Sequence, residues 1–136
     1  MHKSNIFYVD DDASSRLMLT SILRDVGFEV IAIDDALDAL EMVEALPFDV
    51  IVLSQKLDQM TGTELAREIR GFFPHAPIVL LAGETELSAK DLAYVDAYCD
   101  EGTTLNELVM TIEGVIPRVL MPTNSGGSAA AWASST

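Results

Sequence analysis

Five short apolar runs, each followed by a stretch whose hydrophobic residues recur every three or four positions, set the rhythm of this chain. Residues 6–9, 30–33, 50–53, 78–81 and 97–99 have the length and residue content of buried strands. Between and after them, Leu19, Ile22, Leu23 and Val26, then Leu37, Leu40 and Val43, then Leu65 and Ile69, and finally Leu105, Leu108, Val109 and Ile112 predict the apolar stripes of helices. Gly27 has the place of a helix stop after the first stripe, and Pro117 ends the last. Strands alternating with helices predict an α/β domain, a parallel sheet covered by helices on both faces.

The polar residues that interrupt this pattern are concentrated where strands end. Asp10, Asp11 and Asp12 follow directly on the first run, whereas the third run ends in Ser54. Carboxylates at the carboxyl end of a buried strand are costly unless a cation or helix amides compensate them, so the triplet points to a pocket. Asp12 also has a plainer use: a carboxylate just ahead of Ala13 is placed to cap the first helix and to complement its positive end. The two uses are compatible. For Ser54 the plain reading, a small polar residue ending a strand, is the preferred one.

Val9, Asp10 and Asp11, followed by Arg16, Leu19, Leu23, Gly27, Phe28 and Val30, closely resemble the opening of the receiver domain of two-component response regulators. A second anchor, Met60, Thr61, Gly62, Thr63, Glu64 and Leu65 followed by Ile69 and Arg70, resembles that family's third-helix opening, and the residue eight positions ahead of Gly62 is Ser54. The resemblance covers residues 5–118 and implies a flavodoxin-like (βα)5 doubly wound sheet of strand order 2-1-3-4-5, with its functional edge at the carboxyl ends of strands one and three. In the family the acid pair holds Mg2+, and an aspartate at the Ser54 position takes a phosphoryl group from a histidine kinase. A hydroxyl at the position of Ala82 and a lysine at the position of Glu101 bind the phosphoryl oxygens there. From Ala82 to Glu101 is 19 residues, a few short of that family's interval, so the resemblance implies a short or irregular fourth helix between Leu87 and Tyr94. The resemblance therefore implies a degenerate acceptor site, a pseudo-receiver. A neutral serine hydroxyl needs an adjacent base to attack, a methyl donates no hydrogen bond, and a carboxylate repels an anion. Asp10 and Asp11 remain as a weak or vestigial metal pair, and no cofactor is expected beyond weakly held Mg2+.

Composition narrows the partners. With 136 residues, 49% of them hydrophobic, the chain has material for one core, and 22 acids against eight bases give a net charge of −14. That charge opposes direct binding of nucleic acid or an anionic membrane, and leaves basic or apolar protein surfaces as partners. No apolar run approaches a membrane span and the amino terminus lacks a signal-peptide core, so a cytoplasmic protein is expected. Cys99, the one cysteine, reads as a buried structural thiol, and neither His2 nor His75 has metal-ligand spacing. Residues 1–118 are expected to form the receiver-like domain. Residues 119–136, rich in Gly, Ser and Ala, are expected to be a flexible linker or tail in which Trp132 is a candidate anchor.

Four functional classes fit these residues. They are a non-enzymatic interaction module, a phosphoacceptor that uses Asp58 instead, a small-ligand or cation sensor built on the acidic edge, and a flavin mononucleotide carrier. The Asp-rich first loop counts against the last, since a phosphate-binding loop needs uncharged donors. Asp58 lies in a loop without the lysine and hydroxyl partners. The reading adopted is a phosphorylation-independent module that signals by protein contact with a linked output domain or a separate partner. Tyr98 on the fifth strand and Asn106, Met110 and Glu113 on the last helix are its expected contact surface, although Tyr98 reads equally as an ordinary half-buried strand aromatic.

Overall fold

A computed structural model describes residues 3–83, 87–100 and 102–117. Five strands and five helices alternate: β1 (Asn5–Val9), α1 (Ala13–Val26), β2 (Glu29–Ile33), α2 (Ala36–Met42), β3 (Val50–Ser54), α3 (Gly62–Phe72), β4 (Ile78–Gly83), α4 (Ala89–Leu92), β5 (Ala97–Asp100) and α5 (Leu105–Val115). The strands form one parallel sheet in the order β2-β1-β3-β4-β5. This is the flavodoxin-like arrangement expected from the sequence, each strand one or two residues longer than its apolar run.

Strand pleating sorts the sheet's side chains into two cores, because successive residues point to opposite faces. Phe7, Val9, Ile51, Leu53, Ile78 and Leu80 pack on one face against Ala36 and Ala39 of α2 and Leu65, Ala66 and Ile69 of α3. On the other face Ile6, Tyr8, Val50, Val52 and Val79 meet Leu23 of α1 and Leu108 and Ile112 of α5. The central strands are covered on both faces, which is why they read as continuous apolar runs.

Every helix is started by a side-chain cap that takes up an orphan amide: Asp12, Asp35, Thr61, Ser88 and Thr104, the last three in reciprocal capping boxes with Glu64, Asp91 and Glu107. Gly27 ends α1 at φ 122°, a backbone that favours glycine, and the amides of Gly27 and Phe28 close on the carbonyls of Arg24 and Leu23. Ile116 is extended ahead of Pro117, as the residue before a proline is pushed to be. The fourth helix is a four-residue turn with no buried side chain, in keeping with the short interval available to it.

Three predicted stripe residues are exposed. Val26, Leu37 and Leu105 are 47%, 50% and 43% exposed. Val26 is the last residue of α1, where Gly27 turns the chain away. Leu37 flanks the buried stripe of Ala36, Ala39 and Val43, and Leu105 lies a turn ahead of the buried Leu108 and Ile112. The expected tail at 119–136, with Trp132, lies outside the described residues, as does Glu101.

Candidate functional site

Parallel pairing of Val9 with Leu53 brings the ends of β1 and β3 side by side, so that Asp10 and Ser54 are the next residues on adjacent strands. On the other side Ser54 pairs with Leu81, and Ala82 is the following residue. Asp10, Asp11, Ser54 and Ala82 therefore share the carboxyl edge of the sheet, the place where doubly wound folds carry their sites.

The carboxylates of that edge are already engaged. Asp10 is 5% exposed; its Oδ2 accepts a hydrogen bond from the Tyr8 hydroxyl at 2.6 Å, and its Oδ1 accepts one from the Asp12 amide at 3.0 Å. Arg16 donates through Nη1 to the Asp10 carbonyl at 3.0 Å. Asp11 reaches across to the β3–α3 loop, where its Oδ2 accepts the Asp58 amide at 2.6 Å. Asp12 caps α1 by accepting the Ser15 amide at 2.8 Å, which holds its carboxyl below the usual carboxylate range; the backbone bond is the larger cause and the Ser15 side chain the next. The capping use of Asp12 is thus realised.

Tyr8 is fully buried two residues before Asp10, on the same face of β1. Burial pushes its hydroxyl far above the ordinary tyrosine range, the hydrogen bond and charge of Asp10 add to this, and Arg16 opposes it. Tyr8 is a protonated donor to Asp10. In the sequence Tyr8 reads only as an apolar strand residue, although its two-residue spacing from Asp10 carries the signal.

Ser54 is partly exposed, and its hydroxyl donates at 3.5 Å to the Lys56 carbonyl, a long contact that supplies no base. Gln55, which the sequence did not single out, is buried and organises the loop. Its Oε1 accepts the Thr63 amide at 2.9 Å, its Nε2 donates to Thr63 Oγ1 at 3.3 Å, and its carbonyl accepts the Gly62 amide at 3.0 Å. Gly62 is required by closeness: a Cβ there would collide with the Ser54 carbonyl, and would lie 2.8 Å from Leu80 Cδ1 and 2.9 Å from Gln55 Cα. Ala82 is buried and presents a methyl where the strand ends. Asp58 is exposed, and its backbone amide makes the contact with Asp11.

Among the described residues no group of three or more His, Cys, Asp or Glu is placed to hold a metal ion. The donor set fits Mg2+ poorly, because the ion needs several oxygen ligands. Both Asp10 oxygens and one Asp11 oxygen carry protein donors, and the third strand supplies a hydroxyl.

At the far edge, Tyr98 points outward from β5 and is 49% exposed, while Cys99 points inward and is buried. Burial raises the Cys99 thiol, an effect that hydrogen bonds with Thr111 and Thr103 only partly oppose, so it is an unreactive core thiol. On α5, Asn106, Met110 and Glu113 are exposed, Met110 most conspicuously at 69%.

The sequence matches the family model of the response regulator receiver domain over residues 6–100. It is 34% identical over 89 residues to the transcriptional regulatory protein ZraR of Klebsiella oxytoca, covering 65% of this chain and 19% of that protein. It is 38% identical over 84 residues to the DNA-binding response regulator MtrA of Mycobacterium tuberculosis, covering 62% of this chain and 36% of that protein. The chain thus spans well under two thirds of the length of these relatives. Among solved structures, the response regulator TrrA of Thermotoga maritima in complex with Mg2+ and beryllofluoride superposes with a TM-score of 0.76 at 26% identity, covering 82% of this chain and 98% of that one. The chemotaxis protein CheY4 of Vibrio cholerae superposes with a TM-score of 0.74 at 26% identity, covering 84% of this chain and 99% of that one.

Proposed function

The chain belongs to the response regulator receiver domain family, and from that premise we propose that it is a phosphorylation-independent regulatory module, a pseudo-receiver that acts by protein contact within two-component-type signalling. Ser54 at the end of β3, beside Asp10, carries this reading. A receiver's acyl phosphate needs a carboxylate nucleophile, and a serine hydroxyl without a base does not replace it. Ala82 supports the same reading, since its methyl offers no donor to a phosphoryl oxygen, and so does Glu101 in the sequence, whose charge has the wrong sign.

A receiver toggles because phosphorylation stabilises one of two conformations; without that differential energy the domain rests in one state and partners read a fixed surface. Tyr98, Asn106, Met110 and Glu113 form the surface we assign to contact, with a linked output domain or a separate protein whose facing side is basic or apolar. The net charge of −14 argues against direct nucleic-acid binding by this domain. Among the described residues no helix is long and apolar enough to cross a membrane, and we place the module's action in the cytoplasm. The alternative use of the edge as a small-ligand or cation sensor is disfavoured by the donors that already occupy Asp10 and Asp11.

The test is affinity capture of partners from cytosol, scored for variants of both sites. Tyr98→Ala with Met110→Ala should abolish capture and leave thermal stability nearly unchanged, since both side chains are exposed. Ser54→Ala should leave capture intact. Capture that depends on Asp10, Asp11 or added Mg2+ would instead make the pocket an input and refute the proposal.

A further inference from the structure

A carboxylate as buried as that of Asp10 must be compensated, and in this chain the compensation is built into the first strand. The ring of Tyr8 fills the core between β1 and the α1–α5 layer, and its hydroxyl ends 2.6 Å from Asp10 Oδ2. The other oxygen takes the Asp12 amide, the Arg16 guanidinium is anchored on the Asp10 carbonyl, and the Asp58 amide holds Asp11 from the opposite loop. The Tyr8 hydroxyl, which also lies 3.5 Å from the Ser15 carbonyl, holds Asp10 Oδ2 from inside the core, and a divalent cation at that oxygen would have to share it with the phenolic proton.

We propose that Tyr8 is an internal stopper of the acidic pocket: its hydroxyl takes the place of a cation on Asp10, and is the residue that makes this edge of the sheet unresponsive to Mg2+. The inference deepens the phosphorylation-independent reading and rests on it for its meaning, because a pocket closed by its own tyrosine has neither the metal nor the acceptor that phosphoryl chemistry needs. Tyr8 acts as a positioning residue for Asp10. The same hydrogen bond, with the Asp12 amide beside it, joins the end of β1 to the first turn of α1 and fixes that loop in one arrangement.

The experiment compares Mn2+ binding to the wild type and to Tyr8→Phe, read by paramagnetic broadening of the backbone amides of residues 9–12 and 54–58. Phenylalanine keeps the buried ring and removes only the hydroxyl. Tyr8→Phe should bind Mn2+ about 10- to 100-fold tighter than the wild type, the worth of a hydrogen bond to a buried charge. Equal affinities in two folded proteins would overturn the proposal and make the tyrosine a core aromatic only. Should Tyr8→Phe fail to fold, the wild type decides. Its Tyr8 hydroxyl proton should give a slowly exchanging low-field resonance that millimolar Mg2+ leaves unmoved, and loss or displacement of that signal by Mg2+ would overturn the proposal. Neither failure mimics failure of the wider reading, which would appear as a phosphoryl adduct.

Discussion

Replacing Arg70 by alanine removes the guanidinium that holds the end of α3 to the strands beyond it. Arg70 Nε donates to the Tyr94 carbonyl at 2.9 Å, Nη1 donates to the carbonyls of Pro74 and Ala76 at 3.0 and 2.9 Å, and Nη2 meets Asp96 Oδ2 at 3.0 Å. Asp96 Oδ2 also accepts the Ile78 amide at 2.8 Å, so one side chain connects α3, the start of β4 and the approach to β5. Asp96 is 45% exposed, and that ion pair contributes about 0–1 kcal/mol. The Pro74 bond is exposed and water can replace it. The partly buried carbonyls of Tyr94 and Ala76 lose charge-assisted bonds worth about 1.5–3 kcal/mol each before any rehydration. Allowing for partial rehydration of both, we expect Arg70→Ala to lose about 3 kcal/mol, or about 10 °C in Tm for a domain of this size. Arg70→Lys should recover less than half, since an ammonium cannot span the fork. Urea titration and thermal melting by circular dichroism measure both variants. An Arg70→Ala protein melting within about 2 °C of the wild type would show that these carbonyls are satisfied without the guanidinium and refute the accounting.

Gly62→Ala should destabilise by about 2 kcal/mol or more, since the added methyl meets the Ser54 carbonyl and Gln55 Cα, both backbone, and helix propensity returns at most about 1 kcal/mol; a urea midpoint at or above that of the wild type would refute the contact. Asp12 has a folded pKa below its unfolded one, so its cap is fully present above about pH 4 and is lost as pH falls through the folded value. Asp12→Asn should therefore flatten the acid limb of the stability profile, and an unchanged limb in urea titrations at neutral and acid pH would contradict this. Ser54→Asp combined with Ala82→Thr and Glu101→Lys should gain Mg2+-dependent phosphorylation by acetyl phosphate, read as an added phosphoryl mass. Ser54→Asp alone should do so poorly, because it adds a further carboxylate beside Asp10 and Asp11.

The sheet was legible because its central strands are covered on both faces and so appear as uninterrupted apolar runs; even the shortness of α4 showed in the interval before Tyr98. Helix stripes were less legible at their ends. Val26, Leu37 and Leu105 have the right spacing, but burial depends on where a helix lies over the sheet, which spacing does not encode. The edge residues Asp10, Asp11, Ser54 and Ala82 could be aligned from two ungapped motifs, but what the carboxylates bind could not. The Asp11–Asp58 bond joins two loops 47 residues apart, and Gln55 reads as an ordinary loop amide until α3 is seen to start on it. Tyr8 was hidden by its own hydrophobicity: inside an apolar run its ring explains it, and only the pleat, which puts residues two apart on one face, aims its hydroxyl at Asp10.

The claim that this receiver takes up no phosphoryl group is tested most directly by adding beryllofluoride with Mg2+ to the isotope-labelled chain and following the backbone amides of residues 52–56, with intact mass after acetyl phosphate as the covalent readout. The account predicts an unchanged spectrum and an unchanged mass. A stoichiometric adduct, or saturable shifts centred on Ser54, would contradict it.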